Sequence, residues 1–302
     1  MNHEASSLEQ QVLSQSATWR DYFQLTKPTI SLLVVVTVVP GLLLAIPGKI
    51  PSMHLIVATL IGTWLASCSA AVFNHLVDYD IDQQMVRTRK RPVASGRVQP
   101  LQAGFFATGL GVLSIALLWY ETTWLAAFVA LAANAFYVLF YTMYLKRRTV
   151  QNIVIGGAAG AVGPLIGWAA VTGQIGWPAW VLFAIIFIWT PPHFWALALK
   201  YKDDYAAAGV PMMPVVYGDD VTRRQMFFYS LALIPLVVSL SVYGGAGLVY
   251  LIPSLGLTVY FVWLAWKLWR TRDNVNAMPL FHYSCLYLFG IFGSLMVDCL
   301  VG

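Results

Sequence analysis

The sequence has little charge. Only 10% of its 302 residues are Asp, Glu, Lys or Arg, whereas 59% are hydrophobic. Because soluble domains have about a quarter of their residues charged, this composition excludes an ordinary soluble fold. We therefore expect a polytopic membrane protein, whose net charge of +5 reflects topology and needs no nucleic-acid partner.

Cysteine is also scarce, and its spacing excludes a cysteine metal site. Cys68 and Cys285 lie inside apolar runs, where packing is the expected role, and Cys299 lies near the end of the last run. No segment alternates as a barrel strand does, so the runs are expected to be helices, which satisfy their own backbone in lipid. The first run lacks a small-residue cleavage site, which favours a retained helix over a signal peptide.

Long apolar runs dominate the rest of the chain and predict an all-α bundle around a central cavity open to the cytoplasmic side. Nine runs are long enough to cross a bilayer. They cover approximately residues 28–46, 53–78, 101–119, 123–144, 152–171, 176–199, 226–244, 247–269 and 280–301. We expect one transmembrane domain over 28–302, preceded by a short, loosely ordered cytoplasmic tail at 1–27.

The cations between these runs predict the orientation of the bundle. Of the 18 Lys and Arg residues, all but Lys49 fall before the first run or in the loops after even-numbered runs. The positive-inside rule makes that side cytoplasmic, so we expect a plasma (inner) membrane protein with its N-terminus inside and its C-terminus outside. The two longest inner loops, 79–100 and 200–225, follow runs two and six, which indicates a four-helix repeat with a ninth helix added. The chemistry is expected at this inner end.

The acidic stretch that ends the second run is the main candidate site. Asn74, Asp78 and Asp82 are four residues apart and share one helix face, whereas Asp80 points roughly the opposite way. Three oxygen ligands followed by a cluster of cations suit Mg²⁺ bound with a phosphorylated substrate. The alternative is an ordinary helix end with solvated charges. Acids at the C-terminal end of a helix are disfavoured by its dipole, so a metal or the arginines should compensate them.

Two later runs carry further candidates. The fifth run is rich in small residues over 152–164, which favours close helix packing over space for a bulky ligand. In the sixth run, Pro191 and Pro192 are expected to kink or break the helix and free carbonyls. His193 follows them, about 16 Å from Asp204 on one helix face. An intramembrane histidine is a functional candidate, and a hydrogen bond to a freed carbonyl is the alternative.

The spacing Asn74-x-x-x-Asp78-x-x-x-Asp82 resembles the first Asp-rich motif of the UbiA-type intramembrane prenyltransferases, whose nine-span topology agrees. Other stretches are similar to the branch of that family that prenylates haem. They are residues 25–28, 87–92, 145–149, 189–197 and 209–214. Many family members carry Asp-x-x-x-Asp after the sixth span, whereas Lys200 stands here at the first position and only Asp204 matches.

The resemblance implies transfer of a farnesyl group from farnesyl diphosphate to a vinyl group of haem B in the lipid bilayer. Its implied cofactor is Mg²⁺, held by the catalytic residues Asn74, Asp78, Asp82 and Asp204. The implied substrate-binding residues are Arg87, Arg91, Lys146, Arg147 and Lys200 for diphosphate and His193 for haem. Whether a downstream haem-modifying enzyme binds is left open by the sequence.

Two other functions stay open at this point. The acceptor could be an aromatic quinone precursor, which added haem and an aromatic acid would distinguish in an assay. The chain could instead transport an anionic lipid or a metal. Transport sites tend to lie near the bilayer midplane, whereas the charged residues here gather at one face.

Overall fold

The computed structural model describes residues 17–301, and no strand occurs among them. The helices are α1 (Trp19–Leu25), α2 (Pro28–Leu44), α3 (Met53–Val77), α4 (Tyr79–Gln84), α5 (Pro100–Glu121), α6 (Trp124–Ala135), α7 (Asn152–Gly160), α8 (Gly163–Thr172), α9 (Trp177–Lys200), α10 (Lys202–Ala207), α11 (Met213–Val216), α12 (Gly218–Tyr243), α13 (Leu248–Thr271) and α14 (Ala277–Val301). Helix α6 continues as a π-helical segment, Phe136–Leu145, and ends in one α-turn, Lys146–Arg148.

The predicted helical membrane protein is confirmed at the level of its spans. Eight helical stretches among residues 17–301 are long and apolar enough to cross a membrane. The count reaches nine if α1 and α2, bent by 49° at their junction, form one span. The nine-span topology therefore stays a prediction. The predicted tail 1–27 lies largely outside the described residues, and its remaining part contains α1.

Helix starts follow from local sequence. Proline stands in the first turn of α2, α5 and α9, where its missing N–H would have no helical partner. The N-terminus of helix α13 is capped by a side chain from a different helix. The Asp298 carboxylate of α14 accepts hydrogen bonds from the backbone N–H groups of Gly247 (2.7 Å) and Tyr250 (3.1 Å). An acid near the C-terminal end of α14 is therefore explained by the dipole of α13.

The small residues of the fifth run are packing residues, as predicted. Helix α8 crosses α2 so closely that a Cβ on Gly41 would overlap the carbonyl group of Pro164. Similarly, a Cβ on Gly167 would overlap the carbonyl oxygen of Val38, and one on Gly157 would lie 2.9 Å from the Thr190 methyl group of α9. The absent side chains let the backbones approach, which is how membrane helices gain contact.

The packing order of the helices agrees with a four-helix repeat. Helix α3 packs on α5 as α9 packs on α12, and α5 packs on α6 as α12 packs on α13. Both α3 and α9 are followed, after one residue, by a six-residue helix with two acids in its first turn. Helix α14 packs on α13 and α9 and touches α2, so it connects the two halves.

Candidate active site

The acidic cluster lies where α3 gives way to α4. The change of helix preserves the register, because the Asp78 N–H donates to the Asn74 carbonyl (3.0 Å) and the Asp82 N–H to the Asp78 carbonyl (2.8 Å). Asn74, Asp78 and Asp82 are all buried, whereas the side chain of Asp80 is 56% exposed. The predicted one-face arrangement of the three side chains is therefore present.

The predicted conflict with the helix dipole is wrong for most of the acids. Helix α3 ends before Asp78, and Asp80 and Asp82 lie in the first turn of α4. Asp203 and Asp204 lie likewise in the first turn of α10. Negative charge is favoured at a helix N-terminus. A new helix begins just before each acidic pair, whereas the sequence analysis assumed that each preceding helix continues through the acids.

Three cations from three separate elements contact the cluster. Lys146 Nζ, after the π-helical segment, lies 2.6 Å from Asp78 Oδ2. Arg91 Nη1, in the inner loop, donates to both Asp82 oxygens at 2.7 and 2.8 Å. Lys27 Nζ lies 2.5 Å from the side-chain oxygen of Asn74. Buried carboxylates require such partners, and the expected compensation by cations is thus present.

Lys27 is a site residue that the sequence analysis missed. It occupies the junction of α1 and α2 with a left-handed backbone, φ 46°, directly before Pro28. The proline disfavours an α-helical conformation at the residue before it, so the chain turns there. The available signals were a lysine at the start of an apolar run and its place in the resembling stretch 25–28, neither of which assigns it to the site.

The π-helical segment forms another wall of the site. It packs against α3, and the Asn74 amide nitrogen lies 3.5 Å from Thr142 Oγ1. The rings of Tyr137 and Tyr141 lie 5.2 Å apart on this segment, and the Tyr141 ring covers Gly156 of α7. π-Helical turns are rare and often occur at functional sites. No feature of the sequence predicted this one.

His75 is a second residue that the sequence analysis set aside. It is buried, its Nδ1 lies 3.9 Å from Asp82 Oδ2, and neither ring nitrogen has a hydrogen-bond partner within the described part of the chain. On an ideal helix His75 lies about 100° from Asn74, so the spacing alone does not place it in the site. The side chain of Asp82 comes to it from the following helix.

Arg147 lies outside the buried cluster. Its guanidinium donates to both carboxylate oxygens of Asp80, at 2.6 Å each, and to the carbonyl of Val77 at 2.8 Å. These hydrogen bonds from Arg147 lower the pKa of the Asp80 carboxyl below its usual value. Contact between Arg147 and a diphosphate stays a prediction, and the structure gives this side chain another partner.

The remaining predicted diphosphate residues lie around α10. Arg87 and Lys200 both face the ring of Tyr201, at 5.6 and 5.7 Å from its centroid. Burial raises the pKa of Tyr205, and the charges of Arg87 and Arg91 oppose that rise, so these side chains share one region. Across residues 17–301, no three His, Cys, Asp or Glu side chains are grouped closely enough to hold a metal. Asp204 is therefore not brought together with Asp78 and Asp82.

His193 is fixed by aromatic neighbours and by one hydroxyl group. Its ring stacks between those of Trp189 (4.4 Å) and Phe281 (4.6 Å). Its Nδ1 lies 2.6 Å from Ser284 Oγ of α14. Helix α9 continues through Pro191 and Pro192, so of the expected kink or break the structure has no break. The histidine bonds a serine on another helix, which differs from the alternative of a freed carbonyl.

Comparison with known proteins decides the family. A sequence profile described as "UbiA prenyltransferase family" matches residues 34–290. The chain belongs to the UbiA prenyltransferase family.

Solved structures share the fold at low sequence identity. A digeranylgeranylglyceryl phosphate synthase has a TM-score of 0.77 at 17% identity, covering 93% of this chain and 98% of that one. A UbiA homolog from Archaeoglobus fulgidus, bound to DMAPP and Mg²⁺, has a TM-score of 0.68 at 16% identity, covering 92% and 99%.

Relatives in this UbiA family are much closer in sequence and match over nearly their whole length. A protoheme IX farnesyltransferase from Gloeobacter violaceus is 48% identical, over 97% of this chain and 96% of that protein. A protein of the same name from Marinobacter nauticus is 46% identical, over 94% of this chain and 94% of that protein. Another from Synechocystis is 45% identical, over 98% of this chain and 94% of that protein. The chain is therefore an intramembrane prenyltransferase by family.

The burial of the cluster generates a prediction about its three aspartates. Asp78→Asn and Asp82→Asn should each lower prenyl transfer by about a hundredfold, because each removes a carboxylate that is expected to hold Mg²⁺. Asp80→Asn should lower it by about tenfold at most, because the Asp80 side chain is 56% exposed and lies off the face that Asn74, Asp78 and Asp82 share. The assay is product formation against Mg²⁺ concentration. Raising Mg²⁺ should partly restore Asp82→Asn, and an equal loss in Asp80→Asn at equal expression would contradict the one-face site.

Proposed function

We propose that this chain transfers the farnesyl group of farnesyl diphosphate to a vinyl group of haem B and releases diphosphate. One observation carries the proposal: a buried Asn74, Asp78 and Asp82 cluster, faced by cations, lies in a chain whose full-length relatives are named protoheme IX farnesyltransferase. The cluster supports the diphosphate half of the reaction, and the relatives support haem as acceptor.

The donor set of the cluster fits Mg²⁺. Asp78 Oδ1 is buried and has no hydrogen-bond partner in the described residues, so one carboxylate oxygen is available to a cation. Carboxylate and amide oxygens are the hard ligands that Mg²⁺ prefers. Asn74, Asp78 and Asp82 would hold the metal, whereas Asp204 on α10 does not form a metal-binding group with them in this structure. Bound there, Mg²⁺ would neutralise charge on the departing diphosphate.

The cations of the chain supply the rest of the charge that ionisation requires. Lys146 and Arg91 already lie at the acids, and each can donate a charge-assisted hydrogen bond to a phosphate oxygen beside them. Arg87 and Lys200 are proposed as further donors, since both lie at the inner end of the bundle, whereas Arg147 is already bound to Asp80. Donors fixed by the fold stabilise developing charge without reorganising, which lowers the barrier to cleavage of the carbon–oxygen bond.

The aromatic residues above the cluster suit the organic half of the reaction. A farnesyl cation needs surroundings without water until the carbon–carbon bond forms, and Tyr137 and Tyr141 present ring surface beside the acids. The vinyl carbon of haem attacks the cation. Water then adds its oxygen to the second vinyl carbon and releases a proton, which leaves a hydroxyethylfarnesyl substituent. His193 would contact the haem, as an iron ligand or as a partner of a propionate.

We further propose that the active site faces the cytoplasm across nine spans, with the N-terminus inside and the C-terminus outside. The asymmetry of the cations supports this orientation in the plasma (inner) membrane. The resemblance of the chain to proteins named for haem supports haem B over an aromatic quinone precursor. Its prenyltransferase family supports an enzyme over a transporter of an anionic lipid or metal.

The test of this function is mass spectrometry of haem extracted after incubation. With farnesyl diphosphate and Mg²⁺, the purified chain should convert haem B to a product heavier by one farnesyl group and one hydroxyl group. Omission of Mg²⁺ should abolish this conversion. A chain that prenylates an aromatic acid and leaves haem B unchanged would refute the proposed acceptor.

The haem contact is tested separately at His193. His193→Ala should weaken haem binding by about tenfold while leaving farnesyl diphosphate binding nearly intact, because the imidazole lies on α9 away from the acidic cluster. The measurement is a titration followed by the visible spectrum of haem. Phe194→Ala, which changes an exposed neighbour on the same helix, is the matched control. Equal haem affinity in His193→Ala and the wild type would return the histidine to a packing role.

A further inference from the structure

Two consecutive cations reach opposite sides of one acidic segment. Lys146 points inward to Asp78, and these side chains are 18% and 0% exposed. Arg147 points outward to Asp80, and these side chains are 35% and 56% exposed. The same turn of chain is thus attached to the segment 77–80 both inside the site and on its outer surface.

The outer attachment has three hydrogen bonds from a single guanidinium. Two are parallel contacts to the Asp80 carboxylate, and the third goes to the carbonyl of Val77, the last residue of α3. The last carbonyls of a helix have no intrahelical partner, so Arg147 satisfies one of them. A planar guanidinium can make all three contacts at once, whereas an ammonium group is a single point. We call Arg147, Asp80 and the Val77 carbonyl the Arg147 clamp.

The position of the clamp gives it a consequence inside the site. Val77 and Asp80 flank Asp78 in sequence, and Arg147 directly follows Lys146. The clamp therefore fixes the distance between the backbone that carries Asp78 and the backbone that carries Lys146. Neither residue lies inside an uninterrupted α-helix, because α3 ends at Val77 and Lys146 directly follows the π-helical segment.

We propose that Asp80 is a positioning residue, which acts through Arg147 to hold the Lys146 ammonium group at Asp78. On this account Arg147 serves the clamp and does not contact the diphosphate. The proposal rests on the proposed function in one respect, namely that Lys146 meets the diphosphate. It also gives the exposed Asp80 a role distinct from that of the buried metal-binding aspartates.

A double-mutant cycle on pyrophosphate affinity tests the clamp. The probe is inorganic pyrophosphate with Mg²⁺, titrated calorimetrically into the full chain in detergent. Asp80→Asn and Arg147→Gln should each weaken binding by about tenfold, because loss of the clamp misplaces Lys146. The double variant should be no weaker than either single one, because both remove the same interaction. Arg148→Gln, which removes an exposed cation stacked on Tyr144 in the same turn, should bind as the wild type does.

Arg147→Lys separates the clamp from a direct phosphate contact. Lysine keeps the charge but cannot make the three contacts, so Arg147→Lys should be as weak as Arg147→Gln. Near-normal binding by Arg147→Lys would show that the charge alone matters and would overturn the proposal. Additive losses in the double variant, or full affinity in both single variants, would also overturn it.

A general loss of structure gives a different pattern. Mn²⁺ binding without pyrophosphate, followed by electron paramagnetic resonance, should be unchanged in the clamp variants, because Asn74, Asp78 and Asp82 remain in place. A parallel fall in Mn²⁺ affinity would reduce Asp80 to a structural residue and overturn the proposal. The cycle involves no haem, so a failed clamp and a failed haem farnesylation are distinguishable.

Discussion

Two buried carboxylates, where α3 gives way to α4, are the constraint on which the rest of the site depends. The side chains of Asp78 and Asp82 are 0% and 3% exposed, and an unpaired charge at such a position is very costly. Each must have a cation beside it, and each does. The elements that carry these cations are consequently tied to the break between α3 and α4.

This requirement explains several otherwise unrelated features of the fold. The turn between α1 and α2 carries Lys27 to Asn74, the inner loop carries Arg91 to Asp82, and the π-helical segment ends where Lys146 can reach Asp78. The same groups are suited to a metal–diphosphate substrate. The carboxylates can bind the metal cation, and the lysine and arginine side chains can bind the diphosphate anion. Substrate binding would therefore replace the ion pairs within the cluster with contacts to the metal and to the diphosphate.

The sequence predicted the features that depend on periodicity and composition. The spans, the close packing of small residues and the common face of Asn74, Asp78 and Asp82 all follow from spacing along one helix. It did not predict features that depend on contacts between distant segments. Lys27 and Ser284 reach the candidate sites only after helices far apart in sequence pack together. His75 meets Asp82 across the break between α3 and α4. Helix breaks of one residue, at Asp78 and Tyr201, have no strong sequence signal, so the dipole argument failed there.

The central claim is that the buried cluster holds a divalent metal in contact with the diphosphate. Mn²⁺ in place of Mg²⁺, with inorganic pyrophosphate bound, allows this contact to be measured by electron–nuclear double resonance. The account predicts a phosphorus hyperfine coupling to Mn²⁺ in the wild type that disappears in Asp78→Asn and persists in Arg148→Gln. A wild type without phosphorus coupling, or an Asp78→Asn variant that retains it at full strength, would contradict the account.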